Sequence, residues 1–343
     1  MEVSLRSTAT TTTPVNRLTQ ITALIQPQLK QVAARIAEQA AAFDPAIEGY
    51  VSYALGNSGK QLRPIVALLA GSATGEIKPA HVELAVIIEL VHLATLVHDD
   101  IMDEAERRRG LPTLNARWGN ALSVLLGDSL FAHALDLSTR FDDPEISRAI
   151  ARATRDVCTG EIIQTQRRFD LHLAMEEYFR IIEMKTATLF AVAAQLSAKL
   201  NGAAREHEQT LHDFGLHLGA AYQIYDDCLD VAGREQTAGK TLGTDLHKGK
   251  ITLPMLRLLS NASEQEKERY CQLILEGDAV SLTLLLRTDC APAMNESMAL
   301  GAARLEKARA QLESLPPSRA REGLGWLVES IGAMLRALPP AGA

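Results

Sequence analysis

The stretch AVIIELVHLATLVHDDIMDEAERRRGLPT, residues 85–113, says most about the fold of this 343-residue chain. An apolar run of 13 residues leads into five carboxylates within eight positions, and three arginines follow almost at once. The apolar run is too short to cross a bilayer and carries Glu89 and His92, so it predicts a buried helix with a charged end. So many like charges are costly unless something balances them.

The composition favours a single helical protein. Ala and Leu are abundant, aromatic residues make up only 4% of the chain, and Pro and Gly are sparse in its middle, which favours helix over strand. Helical segments follow one another from about residue 17, and the breaks between them are too short to be interdomain linkers. We therefore expect an all-α fold, with 1–16 as a disordered N-terminal segment and 17–343 as one domain forming a single large helical bundle.

Charge and cysteine usage exclude several classes of partner. A formal net charge of -7 predicts no attraction to nucleic acid, so any anionic ligand needs a local basic cluster. The cysteines, Cys158, Cys228, Cys271 and Cys290, have neither metal-site nor disulfide spacing and suit a reducing cytoplasm. We expect no transmembrane segment and see no signal peptide.

One pattern occurs twice. HDDIMD at 98–103 and YDDCLD at 225–230 share the arrangement Asp-Asp-x-x-Asp, each after apolar helix. Because a helix turns about 100° per residue, the first and last Asp of each copy lie on one face. A solvated acidic face explains most single copies, but two copies favour a hard cation, and Mg²⁺ often completes its shell with phosphate oxygens. The pattern therefore indicates a diphosphate ligand.

Basic residues in several short segments supply the complement to these acids. Taken singly, each is more readily explained as a surface charge. Lys185 is the exception, because an ammonium within an apolar helix needs an anionic partner. The segments are GKQLRP at 59–64, RRRG at 107–110, MKTATLF at 184–190 and GKTLGTDLHKGKITLP at 239–254.

Seven blocks in one order make the sequence similar to a known family. From about residue 24 onward the chain resembles the trans-isoprenyl diphosphate synthases, or polyprenyl synthetases. This resemblance implies a helical bundle around a central cavity, of the isoprenoid synthase type, and a homodimer to which the apolar segment 122–135 could contribute. The blocks are GKQLRP, ELVHLATLVHDDIMDEAERRRGLPT, GNALSVLLGDSLFAHAL, GEIIQTQ, YFRIIEMKTATLF, GAAYQIYDDCLD and GKTLGTDLHKGKITLP.

The resemblance also assigns the acidic residues. Asp99, Asp103 and Asp226 are expected to bind Mg²⁺, with three ions when the diphosphate is bound and with Mn²⁺ able to substitute. Supporting roles fall to the remaining motif residues, Asp100, Asp227 and Asp230.

Two substrates follow from the same resemblance, isopentenyl diphosphate and an allylic diphosphate. The isopentenyl diphosphate pocket is expected to contain Lys60, Arg63, His92 and Arg109. The allylic diphosphate is expected to contact Arg108, Lys185, Thr186, Gln223, Lys240 and Lys250, and of these Arg108 and Lys185 join Asp99, Asp103 and Asp226 as catalytic residues. One departure is Gln61, where the family commonly has a basic residue, and it weakens the charge of the pocket slightly.

The implied reaction is ionisation of the allylic C–O bond, attack by the isopentenyl double bond, and loss of a proton. Electrostatic stabilisation of the leaving diphosphate carries this chemistry, so no protein nucleophile is needed. The small residues Val91, Ala94 and Thr95 precede the first motif and would leave the pocket open, which predicts a long product of about seven to ten isoprene units. The same small residues could instead serve only close helix packing.

Other functions remain open at this point. A short-chain synthase making a farnesyl or geranylgeranyl diphosphate differs only in product length. A class I terpene cyclase shares the ionisation step but usually has Asn, Ser and Glu in its second metal site. A His-Asp metal phosphohydrolase would use His92 and His98 but leaves the second acidic copy unexplained. A non-catalytic regulatory subunit would be expected to have lost some of the motif aspartates, and none is missing.

Overall fold

The computed structural model describes residues 14–56, 59–232, 244–277 and 288–339, together with residues 282, 284 and 285. Helices α1 to α5 are Pro14–Leu24, Gln26–Glu38, Pro45–Gly56, Leu62–Thr74 and Pro79–Met102. Strands β1 and β2 are Arg107–Arg108 and Leu111–Pro112. Helices α6 to α11 are Leu114–Trp118, Asn120–Ser138, Pro144–Gln166, Met175–Ile182, Thr188–Leu200 and Arg205–Ala232. Helices α12 to α16 are Thr244–His247, Leu253–Asn261, Glu264–Glu276, Ala291–Gln311 and Arg319–Arg336.

Three short helical turns complete the secondary structure of these ranges. Gln39–Ala42 and Leu312–Ser314 are 3₁₀ turns, and Glu183–Ala187 is a π-helical turn between α9 and α10. The prediction of an all-α fold is confirmed, because the two strands pair only with each other. The first described helix begins at Pro14, inside the segment 1–16 that we expected to be disordered, and residues 1–13 lie outside the described part.

Helix α5 is the central helix of the bundle. It packs against α4, α7 and α10, and most of its side chains are buried. Pro79 occupies the first turn, where its missing N–H costs nothing. The His81 ring accepts a hydrogen bond from the Lys78 N–H at 3.0 Å, and its other nitrogen lies 3.0 Å from the Ser197 carbonyl of α10. These contacts fix the start of the helix, so its other end carries the first acidic motif to a defined place.

The hairpin after α5 is the part of the fold that periodicity does not predict. Arg107 pairs with Pro112 and Arg108 with Leu111, in an antiparallel register. The two turn residues, Arg109 and Gly110, have φ of 52° and 80°. Positive φ at both positions matches a type I′ turn, for which Gly is well suited at the second position. The tight turn directs neighbouring arginines towards the bundle.

Helices α5 and α7 are both long and apolar enough to cross a membrane by length and composition alone. Of the scored window of α5, 72% is buried inside the protein, whereas the corresponding figure for α7 is 39%. Core helices of soluble proteins pass the same test, and burial explains the apolar character of α5. Packing within the chain explains much less of the apolar surface of α7.

Candidate active site

The first acidic motif lies at the C-terminal end of α5. Asp99 and Asp100 are in its last turn, and Asp103 is the C-cap residue, whose N–H donates to the Asp99 carbonyl at 2.8 Å. Asp100 is buried, and one of its oxygens accepts from Nε and Nη2 of Arg108, each at 2.8 Å. Burial raises the pKa of Asp100, and Arg108 opposes that shift. The Asp100 side chain therefore anchors the hairpin to the end of the helix.

Asp103 has a different partner, which comes from a loop far away in sequence. The Lys250 ammonium lies 2.7 Å and 2.8 Å from the two carboxylate oxygens of Asp103, and the Lys250 side chain is only 7% exposed. Burial by itself would raise the pKa of Asp103, but Lys250 outweighs it, and the pKa lies below its ordinary value. Asp103 is therefore ionised at neutral pH.

Lys185 faces Asp99 from the π-helical turn. Its ammonium is 4.0 Å from Asp99 Oδ2, forms an ion pair with Glu161 of α8 and donates to Gln164 Oε1 at 3.0 Å. Burial would lower the pKa of Lys185, but Asp99 and Glu161 outweigh it and raise the pKa. A Cβ at Gly160 would lie 2.8 Å from the Lys185 backbone nitrogen, so glycine permits this close approach of α8. A π-turn inside a helix is often found at a functional site.

The second acidic motif lies near the C-terminal end of α11, and its aspartates interact with neighbouring parts of the protein. Asp227 accepts hydrogen bonds from the Tyr178 hydroxyl at 2.6 Å and from Gln223 Nε2 at 2.8 Å, and Thr186 donates to Gln223 Oε1 at 2.7 Å. Burial, followed by the neighbouring Asp245, raises the pKa of Asp227 to about 7.

Asp230 is also buried, and its Oδ2 accepts from the Asp245 N–H at 3.2 Å. Asp226 is half-buried, and its charge raises the pKa values of Tyr222 and Tyr225, although burial is the larger cause of both shifts. Asp227 and Asp230 therefore hold neighbouring segments in place.

A basic cluster lies beside these motifs. The Arg63 guanidinium lies 4.7 Å from the centroid of the Phe190 ring, and its charge interacts with Glu89 and Asp226. Burial lowers the pKa of His92 well below its ordinary value, and Arg63, Arg108 and Arg109 reinforce the shift. His92 is therefore neutral at pH 7. The arginines around it favour binding of an anion.

The two remaining residues of the predicted isopentenyl diphosphate pocket lie at the edge of this cluster. The Arg109 guanidinium packs directly on Gly59, so a side chain at that position would have to displace it. Lys60 is exposed and lies two residues before the first residue of α4. The structure thus brings Arg63, His92 and Arg109 together and places Lys60 beside Gly59.

Two chains of contacts connect the acidic motifs. Lys250 contacts Asp103 of the first motif and lies 4.0 Å from Asp245, whose N–H bonds to Asp230 of the second. In the second series of contacts, two adjacent residues of the π-turn reach the two motifs. Lys185 lies beside Asp99, and Thr186 hydrogen-bonds to Gln223, which in turn hydrogen-bonds to Asp227. The motifs thus belong to one electrostatic unit.

Other predicted residues are placed as follows. Val91 and Ala94 are fully buried, whereas Thr95 is partly exposed and donates to the His92 carbonyl at 2.6 Å. Lys240 lies outside the described residues. Cavities of about 470 Å³ and about 830 Å³ are lined by other parts of the chain, the smaller beside Arg205 and the larger beside Arg35.

Several site residues escape sequence reasoning. Glu161 and Gln164 stand within the quoted block GEIIQTQ, where a buried acid three residues before an amide is a usable signal. Tyr178, Arg168 and Asp245 have no signal that connects them to the motifs, because each reaches the motifs from another helix or loop. Glu89 stands out in the apolar run of α5, but its interaction with Arg63 is not evident from the sequence.

The described part of the chain contains no group of three or more His, Cys, Asp or Glu side chains arranged to hold a metal ion. Instead, a lysine ammonium lies beside each of the two outer aspartates of the first motif. Lys185 lies beside Asp99, and Lys250 contacts Asp103. The carboxylates are oxygen donors of the type that hard divalent cations prefer. The donor chemistry of the site therefore fits Mg²⁺.

Comparisons with known proteins identify the family of the chain. The model of the polyprenyl synthetase family matches residues 44–281. An octaprenyl diphosphate synthase of Escherichia coli is 35% identical over 90% of this chain and 96% of its own length. A short chain isoprenyl diphosphate synthase of Methanothermobacter thermautotrophicus is also 35% identical, over 80% of this chain and 86% of its own.

A solved structure gives the same result at the level of the fold. The polyprenyl synthase of Caulobacter crescentus, crystallised with calcium and isoprenyl diphosphate, superposes with a TM-score of 0.86. It is 32% identical, and the match covers 93% of this chain and 98% of that one. Sequence and structure agree over nearly the whole length, and the chain belongs to the polyprenyl synthetase family.

Proposed function

We propose that this protein is a Mg²⁺-dependent prenyltransferase that adds isopentenyl diphosphate to an allylic diphosphate in successive head-to-tail steps. The observation that carries the proposal is the electrostatic unit between the two acidic motifs, where Lys185 and Lys250 already neutralise carboxylates. A ligand that brings both divalent cations and phosphate oxygens can replace these contacts, because the cations can bind the carboxylates and the phosphate oxygens can bind the lysines. The allylic diphosphate is such a ligand.

Each side chain has a task in the proposed reaction. Asp99, Asp103 and Asp226 would hold Mg²⁺, which when bound neutralises charge on the leaving diphosphate. Lys185, Lys250 and Arg108 would turn from their carboxylates towards the phosphate oxygens and stabilise the same charge. Lys240 belongs to the proposed set as well.

Isopentenyl diphosphate would bind in the basic cluster beside the motifs. Arg63 and Arg109 would supply fixed positive charge, and Lys60 would supply an exposed ammonium. His92 is neutral, so it would supply a hydrogen bond without adding charge. This anion site lies on the Glu89 side of α5.

Bonds and protons balance without a protein nucleophile. The allylic C–O bond breaks with its electron pair leaving on the diphosphate, and the isopentenyl double bond supplies the pair for the new C–C bond. The cation so formed loses a proton to the departing diphosphate, which restores a double bond. The protein contributes positioning, charge stabilisation and exclusion of water.

We propose a long trans product, of about seven to ten isoprene units, by analogy with the family. Val91, Ala94 and Thr95 are all small, and the partial exposure of Thr95 leaves space above the buried pair. The similarity to an octaprenyl diphosphate synthase over 90% of the chain supports the same length. A short-chain product is the alternative, and sizing the product separates the two.

A homodimer is part of the proposal. Leu125 of α7 is 64% exposed, Ile162 of α8 is 59% exposed, and Val124 is 41% exposed. Large apolar side chains grouped on adjacent helices are typical of a protein interface. A second copy packed on α7 and α8 would cover them. We place the protein in the cytoplasm, where its four free thiols would stay reduced.

Two remote alternatives have less support. For a His-Asp phosphohydrolase, His98 would have to be a metal ligand, yet its Nε2 lies 3.1 Å from the Val124 carbonyl and 3.5 Å from Asp128. A class I terpene cyclase would leave the basic cluster around Arg63 without a substrate.

The test is an incubation of the purified protein with Mg²⁺, isopentenyl diphosphate and separate allylic primers, followed by dephosphorylation and sizing of the chains. We expect trans products of about 35 to 50 carbon atoms, corresponding to the seven to ten units inferred from the family. Asp99→Asn should abolish them, and the exposed Asp142→Asn is the matched control. Phosphate release that needs no isopentenyl diphosphate, or a cyclic hydrocarbon product, would contradict the proposal.

A further inference from the structure

The connection between α8 and α9, residues 167–174, contacts the first acidic motif directly. Arg168 Nη2 donates to the Met102 carbonyl at 3.2 Å and lies 3.6 Å from Asp103 Oδ1. Its Nε is buried and has no hydrogen-bond partner within the described chain. Arg168 therefore adds a cation to a carboxylate that already contacts Lys250.

The next residue, Phe169, links the connection between α8 and α9 to the loop that contains Gly249. The Phe169 N–H donates to the Gly249 carbonyl at 2.7 Å, and Phe169 has a φ of 61°, which is strained for an aromatic residue. Gly249 has a φ of 74°, and a Cβ there would lie 2.5 Å from the Phe169 ring. Both residues thus have positive φ at the point where the two segments meet.

Gly249 immediately precedes Lys250, so the contact bears on the position of the Lys250 ammonium. The Lys250 N–H donates to the Asp245 carbonyl at 2.8 Å, which closes the loop on its other side. Phe169 therefore fixes one end of a short segment whose next side chain reaches both oxygens of Asp103. Arg168 fixes the helix end that carries this same carboxylate.

We propose that Arg168 and Phe169 are positioning residues for the allylic diphosphate site. Together they clamp the Lys250 loop to the C-terminal end of α5, so that the ammonium lies where a diphosphate binds. The inference rests on the proposed function for the identity of the ligand. The clamp itself can be tested with Mg²⁺ and inorganic pyrophosphate, without turnover.

The chain offers a matched pair of variants. Arg168→Gln removes one of the two cations beside Asp103 and leaves Lys250 in place. Arg167→Gln instead removes an exposed neighbour that pairs only with Asp170 and Glu177 among the described residues. Phe169→Ala removes the ring, and Phe169→Leu restores apolar packing on Gly249.

We expect Arg168→Gln to raise the KM for the allylic diphosphate about tenfold, the scale of one lost charge-assisted contact that is partly exposed. The KM for isopentenyl diphosphate should stay within twofold. The dissociation constant of Mg²⁺–pyrophosphate, measured by calorimetry, should rise by a factor similar to that of the allylic KM. Phe169→Ala should act in the same direction and Phe169→Leu should recover most of the loss, while Arg167→Gln should match the wild type.

The outcomes separate the two claims. Lower thermal stability or kcat with both KM values and pyrophosphate affinity unchanged would show a structural role only and overturn the inference. Equal effects of Arg167→Gln and Arg168→Gln would overturn it as well. A wild-type protein that binds Mg²⁺–pyrophosphate but makes no prenyl chain would refute the proposed function, and weaker pyrophosphate binding by the variants would still support the clamp.

Discussion

Replacing Asp227 with Asn should stabilise the metal-free protein strongly at pH 8 and much less at pH 5. Burial and the neighbouring Asp245 raise the pKa of Asp227 to about 7 in the folded protein, whereas an unfolded aspartate has a pKa of about 3.9. Between these values the folded state holds the proton more tightly. The contribution of Asp227 to stability is therefore lost progressively as the pH rises from about 4 to 7 and does not change further above that range.

The size of the effect follows from the difference of about three pKa units. At about 1.4 kcal/mol per unit, the cost of Asp at position 227 is about 4 kcal/mol at pH 8, where it is ionised in the folded protein. At pH 5 the folded protein keeps the proton while the unfolded chain has lost it, and the cost is only about 1.5 kcal/mol. Asn removes this cost and can keep the hydrogen bonds, because it still offers an acceptor to Tyr178 and Gln223 can reverse its amide. The stability advantage of Asp227→Asn should therefore grow by about 2 to 3 kcal/mol between pH 5 and pH 8.

The assay is equilibrium urea unfolding at pH 5, 6, 7 and 8, with a chelator present and one fixed protein concentration. The control variant is Asp142→Asn, which removes an exposed carboxylate outside both acidic motifs. An Asp227→Asn advantage that stays constant from pH 5 to pH 8 would refute the assignment of the shifted pKa to this residue.

Three further changes test other parts of the site. Lys185→Met leaves Glu161 beside Asp99 without its cation, so kcat/KM for the allylic diphosphate should fall about 100-fold or more, and a steady-state value near that of the wild type would contradict its role. Thr95→Phe should shorten the product by chromatography, whereas an unchanged length would show that the residue serves only helix packing. Leu125→Lys should convert the proposed dimer to monomer in analytical ultracentrifugation, and an unchanged sedimentation coefficient would show that Leu125 is not part of an interface.

The sequence predicts the acidic side of the site well and its partners poorly. Asp99, Asp100 and Asp103 follow from helical spacing after an apolar run, and the structure places them at the end of α5. Lys185 stands out because an ammonium in an apolar helix needs an anion, yet that anion, Glu161, lies 24 residues earlier on another helix. No periodic signal connects two such positions.

Loops and turns are the least predictable part. The hairpin of Arg107–Arg108 and Leu111–Pro112 is too short to show an alternating pattern. The contact of Phe169 with Gly249 depends on two backbone conformations that only the folded chain imposes. The fold class follows from composition and spacing, whereas the positions of the site cations depend on tertiary contacts.

The most direct test of the central claim is a double-mutant cycle for binding of Mg²⁺–pyrophosphate, measured by calorimetry with Asp99→Asn, Asp226→Asn and the double variant. If the two acidic motifs hold one ligand, each single change should weaken binding about tenfold or more, and the double variant should bind little more weakly than the worse single variant. Losses that add in full, or unchanged affinity in either single variant, would show that the motifs act separately and contradict the account.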